Sequence, residues 1–186
     1  MRHRILTVCT ANVCRSPVVE AMLAHRLDPE RFVVSSAGVR APRGTPIDRQ
    51  SAEQLWLREV PVLDRTARQL TRDIVAEADL VLTATRAHRA DVLDLEPRAL
   101  RRTFTVLEFA ALCTLVEGEL SDGAGPNDLV EAAATARTRG PADVDLRDPI
   151  GRSTEVHAGV ATRIDDAVAT IVAAFGRVGG AGDRGR

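Results

Sequence analysis

Two cysteines, an arginine and a serine fall within eight residues, in the stretch LTVCTANVCRSP at positions 6–17. A thiolate is the strongest nucleophile among the side chains, but a free thiol with a pKa of about 8.5 is mostly protonated at neutral pH. A helix N-terminus and a neighbouring guanidinium both favour the anion. Cys9 precedes a helical pattern, and Arg15 stands six positions on. A turn placed there points successive backbone N–H groups inward, which makes a cradle for a phosphate-sized anion. Arg15 can close that cradle with a bidentate guanidinium. Nucleophile, amide cradle and arginine together specify attack on phosphorus or a similar tetrahedral oxyanion.

Such a turn needs a strand before it and a helix behind it, and the sequence offers both. Residues 5–9 read as a buried strand, and residues 17–27 as a helix with Ser16 as N-cap and Pro17 at its first position. Further strands are expected at 32–37, 79–84 and 103–107. Helices are expected at 48–59, 71–78, 86–95, 108–116, 128–137 and 155–175. Residues 40–46 and 140–152 read as loops, rich in Pro, Gly and Asp. Strands alternating with helices imply βαβ units and a parallel sheet covered on both faces, with the site at the carboxyl ends of the strands.

The bulk properties narrow the alternatives. The 186 residues suit one domain, expected over 1–175, with a Gly/Arg-rich disordered tail at 176–186. The net charge of -1 gives no bulk field for nucleic acid or an anionic membrane. All 25 basic residues are arginine. The N-terminal apolar run is too short for a signal-peptide core, and no run approaches the roughly 20 residues that span a bilayer. Three cysteines do not make a disulfide framework, so a reducing cytoplasm is expected. There a cysteine pair points to chemistry rather than to structure. His25, His88 and His157 on helices, and His3 on the N-terminal tail, pair with no second ligand, so no metal and no cofactor is expected.

Cys9-Thr10-Ala11-Asn12-Val13-Cys14-Arg15-Ser16-Pro17 resembles the signature of the low-molecular-weight protein tyrosine phosphatases, bacterial type. Ser36-Ala37-Gly38, Ala67-Arg68-Gln69-Leu70 ahead of the Asp79 strand, and Asp148-Pro149 before the last helix stand where that family has them. The resemblance covers residues 4–175. It implies an α/β fold with a four-stranded parallel sheet flanked by helices, flavodoxin- or Rossmann-like. It implies Cys9 as nucleophile through a phosphocysteine and Arg15 on the equatorial oxygens. Asp148 would be general acid and then base. Residues Thr10, Ala11, Asn12, Val13, Cys14, Arg15 and Ser16 would bind the phosphate, and Ser16 would donate to the thiolate. Asn12, Ser16 and Ser36 would support the loop, and Cys14 would be the redox partner of Cys9. The implied partner is a tyrosine-phosphorylated protein, such as a bacterial tyrosine kinase or its substrate.

The chain also departs from the family. Ile150-Gly151 stand where one or two aromatics usually wall the substrate slot, and there is no tyrosine in the sequence. Val13 stands where a phosphoarginine-hydrolysing relative carries Thr, which favours the tyrosine type. Protein arginine phosphatase is the alternative. Thiol-dependent arsenate reduction has only Cys113 left for its relay, and a non-catalytic phosphate-binding module would not need Cys9, Arg15 and Asp148 together. Other residues have plainer readings. Cys113 reads as core, Trp56 as core or half-buried cover, and Asp143 and Asp145 as solvated. Arg40 and Arg43 read as a solvated loop or as a basic rim. No role is read for the segment 117–143.

Overall fold

A computed structural model describes residues 1–178. Four strands, β1 (His3–Cys9), β2 (Phe32–Gly38), β3 (Leu80–Thr83) and β4 (Thr103–Thr105), form one parallel sheet in the order β2-β1-β3-β4. β1 therefore lies inside the sheet, with β2 on one side and β3 on the other. Its side chains alternate as a strand buried on both faces requires. Ile5 and Cys9 join Leu80, Leu82 and Phe104 in the larger core. Leu6 and Val8 join Val81, Leu70 and Val75 in the smaller one.

Seven α-helices accompany the sheet: α1 (Arg15–Arg26), α2 (Arg49–Trp56), α3 (Arg72–Ala76), α4 (Arg86–Leu95), α5 (Val106–Leu115), α6 (Pro126–Ala136) and α7 (Thr154–Arg177). Helices α1, α5 and α7 supply the larger core, where Phe32 and Phe109 meet Phe175 with ring centroids 5.0 and 6.2 Å apart. Several helix starts follow from local chemistry. The Asp48, Thr71 and Thr85 side chains accept from backbone N–H groups three residues on. Thr105 and Glu108 form a reciprocal capping box.

Several sequence expectations need correction. His3 is the first residue of β1, buried against Phe32 and Phe175, and not part of a tail. β4 stops at Thr105, because the capping box there turns Val106 and Leu107 into helix. α2 ends at Trp56, and Glu59 turns the chain away at a left-handed φ of 58°. Trp56 is 73% exposed, neither core nor cover. Gly176 and Arg177 form the end of α7, and the expected tail at 179–186 lies outside the described residues.

Segment 117–143 is part of the core. α6 buries Leu129, Val130, Ala133 and Ala136. Arg137 just beyond it donates to the Thr103 carbonyl at 2.7 Å and lies over the Phe104 ring at 4.3 Å. Leu129 is fully buried, so Leu129→Ala should lower stability by about 2–5 kcal/mol, as other buried leucine truncations do. Urea denaturation checks this. A loss no larger than that of the exposed control Leu100→Ala would mean that α6 is dispensable packing.

Candidate active site

The stretch from Cys9 to Arg15 leaves β1 and enters α1 at the carboxyl end of the sheet. Asn12 shapes it. Its φ of 57° is left-handed, a conformation that Asn tolerates better than most residues. Its amide Nδ2 donates to Ser36 Oγ at 2.7 Å and to Ser16 Oγ at 3.0 Å. Its Oδ1 accepts the Arg68 backbone N–H at 3.0 Å. Ser36 in turn donates to Glu20 at 2.5 Å, and Arg65 pairs with the same carboxylate at 3.0 Å. Burial pushes the Glu20 carboxyl up, while Ser36 and the two arginines, 65 and 68, pull it down.

Among the described residues, no backbone acceptor takes the N–H groups of residues 10–14. Ser16 is not the N-cap. Cys14 occupies that position without a side-chain cap, and the Ser16 hydroxyl turns back to lie 3.0 Å from Cys9 Sγ. A hydroxyl recruited by the thiol and by Asn12 cannot also cap the helix. The uncapped N–H groups of α1 stay directed at the turn.

Gly38 ends β2 against this turn. A Cβ there would stand 2.7 Å from the Thr10 carbonyl oxygen and 2.9 Å from backbone atoms of Ala11 and Asn12. The Gly of Ser36-Ala37-Gly38 thus serves close backbone approach.

Arg15 is 5% exposed, and its charge is held from several sides. One terminal nitrogen donates to the Leu146 carbonyl at 3.1 Å, and the other pairs with Asp148 at 2.9 Å. Its Nε is buried with no hydrogen-bond partner. Asp148 is about half exposed, on a loop tied to the sheet by the Leu146 N–H on the Ala84 carbonyl at 2.8 Å. Asp145 is not merely solvated. It accepts the Arg86 backbone N–H at 2.8 Å at the start of α4. Asp143 pairs with Arg163 at 3.2 Å.

The sequence reading missed His88. Its Nε2 lies 2.8 Å from Thr10 Oγ1, and its Nδ1 lies 2.8 Å from Thr85 Oγ1. Thr10 Oγ1 also accepts from Arg15 at 3.4 Å. The available signal was Thr85-x-x-His88 directly after β3, a cap at the carboxyl end of the sheet. Burial, and then the Arg15 charge, hold the His88 imidazole below its ordinary value of 6.5. The carboxylates of Asp91, Asp148 and Asp145 pull the other way.

The two cysteines of the turn differ in surroundings. Burial pushes the Cys14 thiol up to about 12, Ser51 pulls it down, and the charges of Asp48, Cys9 and Asp148 add to the rise. Cys14 is therefore a thiol at neutral pH. His157 is buried behind it, 3.3 Å from Ser51 Oγ and 3.6 Å from Asp48. Cys113 is buried in the core, far along the chain in α5. All three cysteines are free. Among the described residues, no three His, Cys, Asp or Glu side chains gather to hold a metal ion.

This turn, its arginine and the four-stranded sheet define a cysteine-centred oxyanion site on a flavodoxin-like scaffold. Residues 4–125 match the family described as low molecular weight phosphotyrosine protein phosphatase, and the chain belongs to that family. A protein-arginine-phosphatase from Geobacillus stearothermophilus is 32% identical over 134 residues, which cover 72% of this chain and 87% of the relative. The tyrosine phosphatase Wzb of Salmonella typhi is 36% identical over 97 residues, 52% of this chain. That match spans 64% of Wzb, just under two thirds of its length. The crystal structure of the Erwinia amylovora tyrosine phosphatase AmsI superposes with a TM-score of 0.72 at 25% identity, covering 95% of each chain.

Two measurements test this geometry. Gly38→Ala must push the turn off its position. The variant should remain folded, with binding of inorganic phosphate weakened at least about tenfold, since a misplaced donor set loses its preorganisation. Unchanged binding by calorimetry would mean that the turn shifts without consequence. His88 supplies the second. An imidazole held below its unfolded value binds fewer protons when folded, so stability falls as pH drops below about 6.5 and recovers as pH rises. Urea unfolding followed from about pH 7.5 to 5 should show a shallower decline in His88→Gln. Equal slopes would remove His88 as a source of acid lability, leaving His3, which burial also holds low.

Proposed function

We propose that the protein is a cysteine-dependent protein phosphatase acting on phosphotyrosine, with residues 1–175 as its single catalytic domain. The observation that carries this reading is the buried Arg15, whose Nε has no partner, beside Cys9 and a run of loop N–H groups without backbone acceptors. Unpaired donors around a buried nucleophile are an arrangement for a tetrahedral oxyanion.

In this mechanism the phosphoryl oxygens replace Asp148 on the guanidinium and take the N–H groups of residues 10–16. Cys9 Sγ attacks phosphorus in line, and the Ser16 hydroxyl donates to the thiolate. Asp148, freed on its half-exposed loop, takes the proton given up as the Cys9 thiol becomes the attacking thiolate and passes it to the leaving oxygen. Loss of the alcohol leaves a phosphocysteine. Asp148 then takes a proton from water, which attacks phosphorus and returns Cys9. Thr10 and His88 hold the guanidinium from behind.

Cys9 is 2% exposed, so a phosphate reaching it must stand well out from the peptide backbone. A phenyl ring supplies that reach, and a serine side chain does not. The substrate is thus a tyrosine-phosphorylated protein, such as a tyrosine kinase or its substrate, and the compartment is the cytoplasm, where buried free thiols stay reduced. No helix among the described residues is long and apolar enough to cross a membrane. Under peroxide, the Cys9 sulfenic acid would condense with the Cys14 thiol, forming a disulfide and releasing water.

A second reading, phosphoarginine, is favoured by the arginine-phosphatase relative that spans most of this chain. Val13 and the exposed Ile150 do not require it.

Turnover of p-nitrophenyl phosphate should be abolished in Cys9→Ser, with phosphate binding retained. Asp148→Asn should slow esters with poor leaving groups by roughly 10²–10⁴-fold and good ones far less. Equal losses on both would make Asp148 structural. Phosphotyrosine, phosphoserine and phosphoarginine peptides of matched sequence then decide the substrate, and a clear preference for phosphoarginine would overturn the tyrosine reading while leaving the cysteine chemistry in place.

A further inference from the structure

Most arginines of this chain are occupied. Arg65 pairs with Glu20, Arg72 with Glu96, Arg89 with Glu108 and Arg163 with Asp143. Five are not. Arg40, Arg43, Arg49, Arg147 and Arg152 are all exposed, and none has an ion-pair or side-chain hydrogen-bond partner among the described residues. Elsewhere among the described residues only Arg2 and Arg98 share that condition.

The five lie in two segments, and both segments are fastened to the Cys9–Arg15 turn. In the first, the Arg40 N–H donates to the Thr10 carbonyl at 2.8 Å, and the Asp48 N–H donates to the Val13 carbonyl at 2.8 Å. Arg43 and Arg49 are carried on the same stretch. In the second, Arg147 stands between Leu146, whose carbonyl holds Arg15, and Asp148, which pairs with it. The Arg152 N–H closes a turn on the Pro149 carbonyl at 2.9 Å. The first segment follows β2 and the second is tied to the end of β3, so they flank β1 and its turn from opposite sides. Three carboxylates near them are engaged: Asp48 caps α2, Asp145 holds the start of α4, and Asp143 pairs with Arg163. Exposed Glu53, one helical turn from Arg49, is the carboxylate that a peptide must outcompete there. Beside the turn, Val13, Cys14 and Ala67 form a small buried cluster on which Ala11 and Ala41 pack.

We propose that these arginines form a two-sided basic rim that selects phosphopeptides with carboxylates on both sides of the phosphorylated residue. This rests on the phosphopeptide reading above and names the class of peptide within it. Exposed Ile150, with Gly151 beside it, offers a ring little area to grip. Selectivity then shifts from the ring to the charges of the flanking sequence. A peptide fits better than a nucleic acid or an anionic membrane. The rim is split across a narrow site, Trp56 is the chain's one indole and lies in α2, and the net charge of the whole chain is -1.

The test measures kcat/KM for three phosphotyrosine peptides of equal length, with Glu on both sides, Gln on both sides and Lys on both sides. Exposed ion pairs each contribute a factor of about two, so three simultaneous pairs should make the Glu peptide exceed the Gln peptide by roughly eightfold. The order should be Glu, Gln, Lys. The Glu-to-Gln ratio should shrink towards one at about 1 M salt, where the screening length is near 3 Å. Arg40→Gln with Arg43→Gln should lower that ratio when the acidic residues precede the phosphotyrosine or when they follow it, and Arg152→Gln should lower it for the opposite arrangement. A Glu-to-Gln ratio near one at low salt, with the Gln peptide hydrolysed normally, overturns the rim alone. No hydrolysis of any peptide or of p-nitrophenyl phosphate overturns the phosphatase reading instead. Inhibition by anionic phospholipid vesicles but not by a non-phosphorylated Glu peptide would assign the rim to a membrane and overturn the peptide class.

Discussion

Backbone N–H groups aimed inward at one point repel one another and leave their hydrogen bonds unmade. The turn from Cys9 to Arg15 persists only because something outside it holds it open. Asn12 is that restraint. Its left-handed backbone sets the curvature, and its carboxamide spends all its polar capacity on three neighbours, Ser16, Ser36 and the Arg68 N–H. Those neighbours come from α1, β2 and the segment ahead of α3, so the turn is anchored to three separate parts of the fold. Gly38 completes the arrangement from the side of β2 by leaving room that any side chain would fill.

Electrostatics then separate groups that look alike in sequence. Cys9 and Cys14 belong to one turn, but Cys14 is pushed up to about 12 chiefly by burial, and stays a thiol. It does not compete for an electrophile at neutral pH. Cys9 has the Ser16 hydroxyl at 3.0 Å and the N-terminus of α1 beside it. Arg15 is buried and still charged because Leu146, Asp148 and Thr10 share its hydrogen bonds. An unpaired buried guanidinium would be strongly destabilising. The same ion pair keeps Asp148 beside the turn.

Much of this was legible in the sequence, for physical reasons that differ from part to part. α4 was read residue for residue, because Thr85 caps it and Pro97 follows. The parallel sheet followed from the alternation of short apolar runs with amphipathic ones. The phosphate-cradle reading needed only a nucleophile, an arginine and a helix start in one short stretch. What escaped depended on contacts between distant positions. Ser16 reads both as a cap and as a partner of the thiolate and of Asn12, and the second use of its hydroxyl excludes the first. His3 looks like a tail residue until Phe175 packs on it from the last helix. His88 joins the site through Thr10, 78 residues away in sequence. The helix of segment 117–143 is legible at 128–137, but its place in the core rests on Arg137 and α6 finding β4 and α5.

The partners of Arg15 carry a consequence for the order of events in the cell. The Cys9–Arg15 turn leaves the ribosome well before the Leu146 carbonyl that holds the guanidinium, 131 positions after Arg15. Domains assemble on the ribosome as their segments emerge, at about 5–20 residues per second. For several seconds of synthesis, then, a nascent chain carries both thiols but has neither Leu146 nor Asp148 to orient the arginine. Those two partners arrive only when the segment around Leu146 has folded back onto the end of β3. A chain cut before Leu146 thereby leaves the buried guanidinium without either of them.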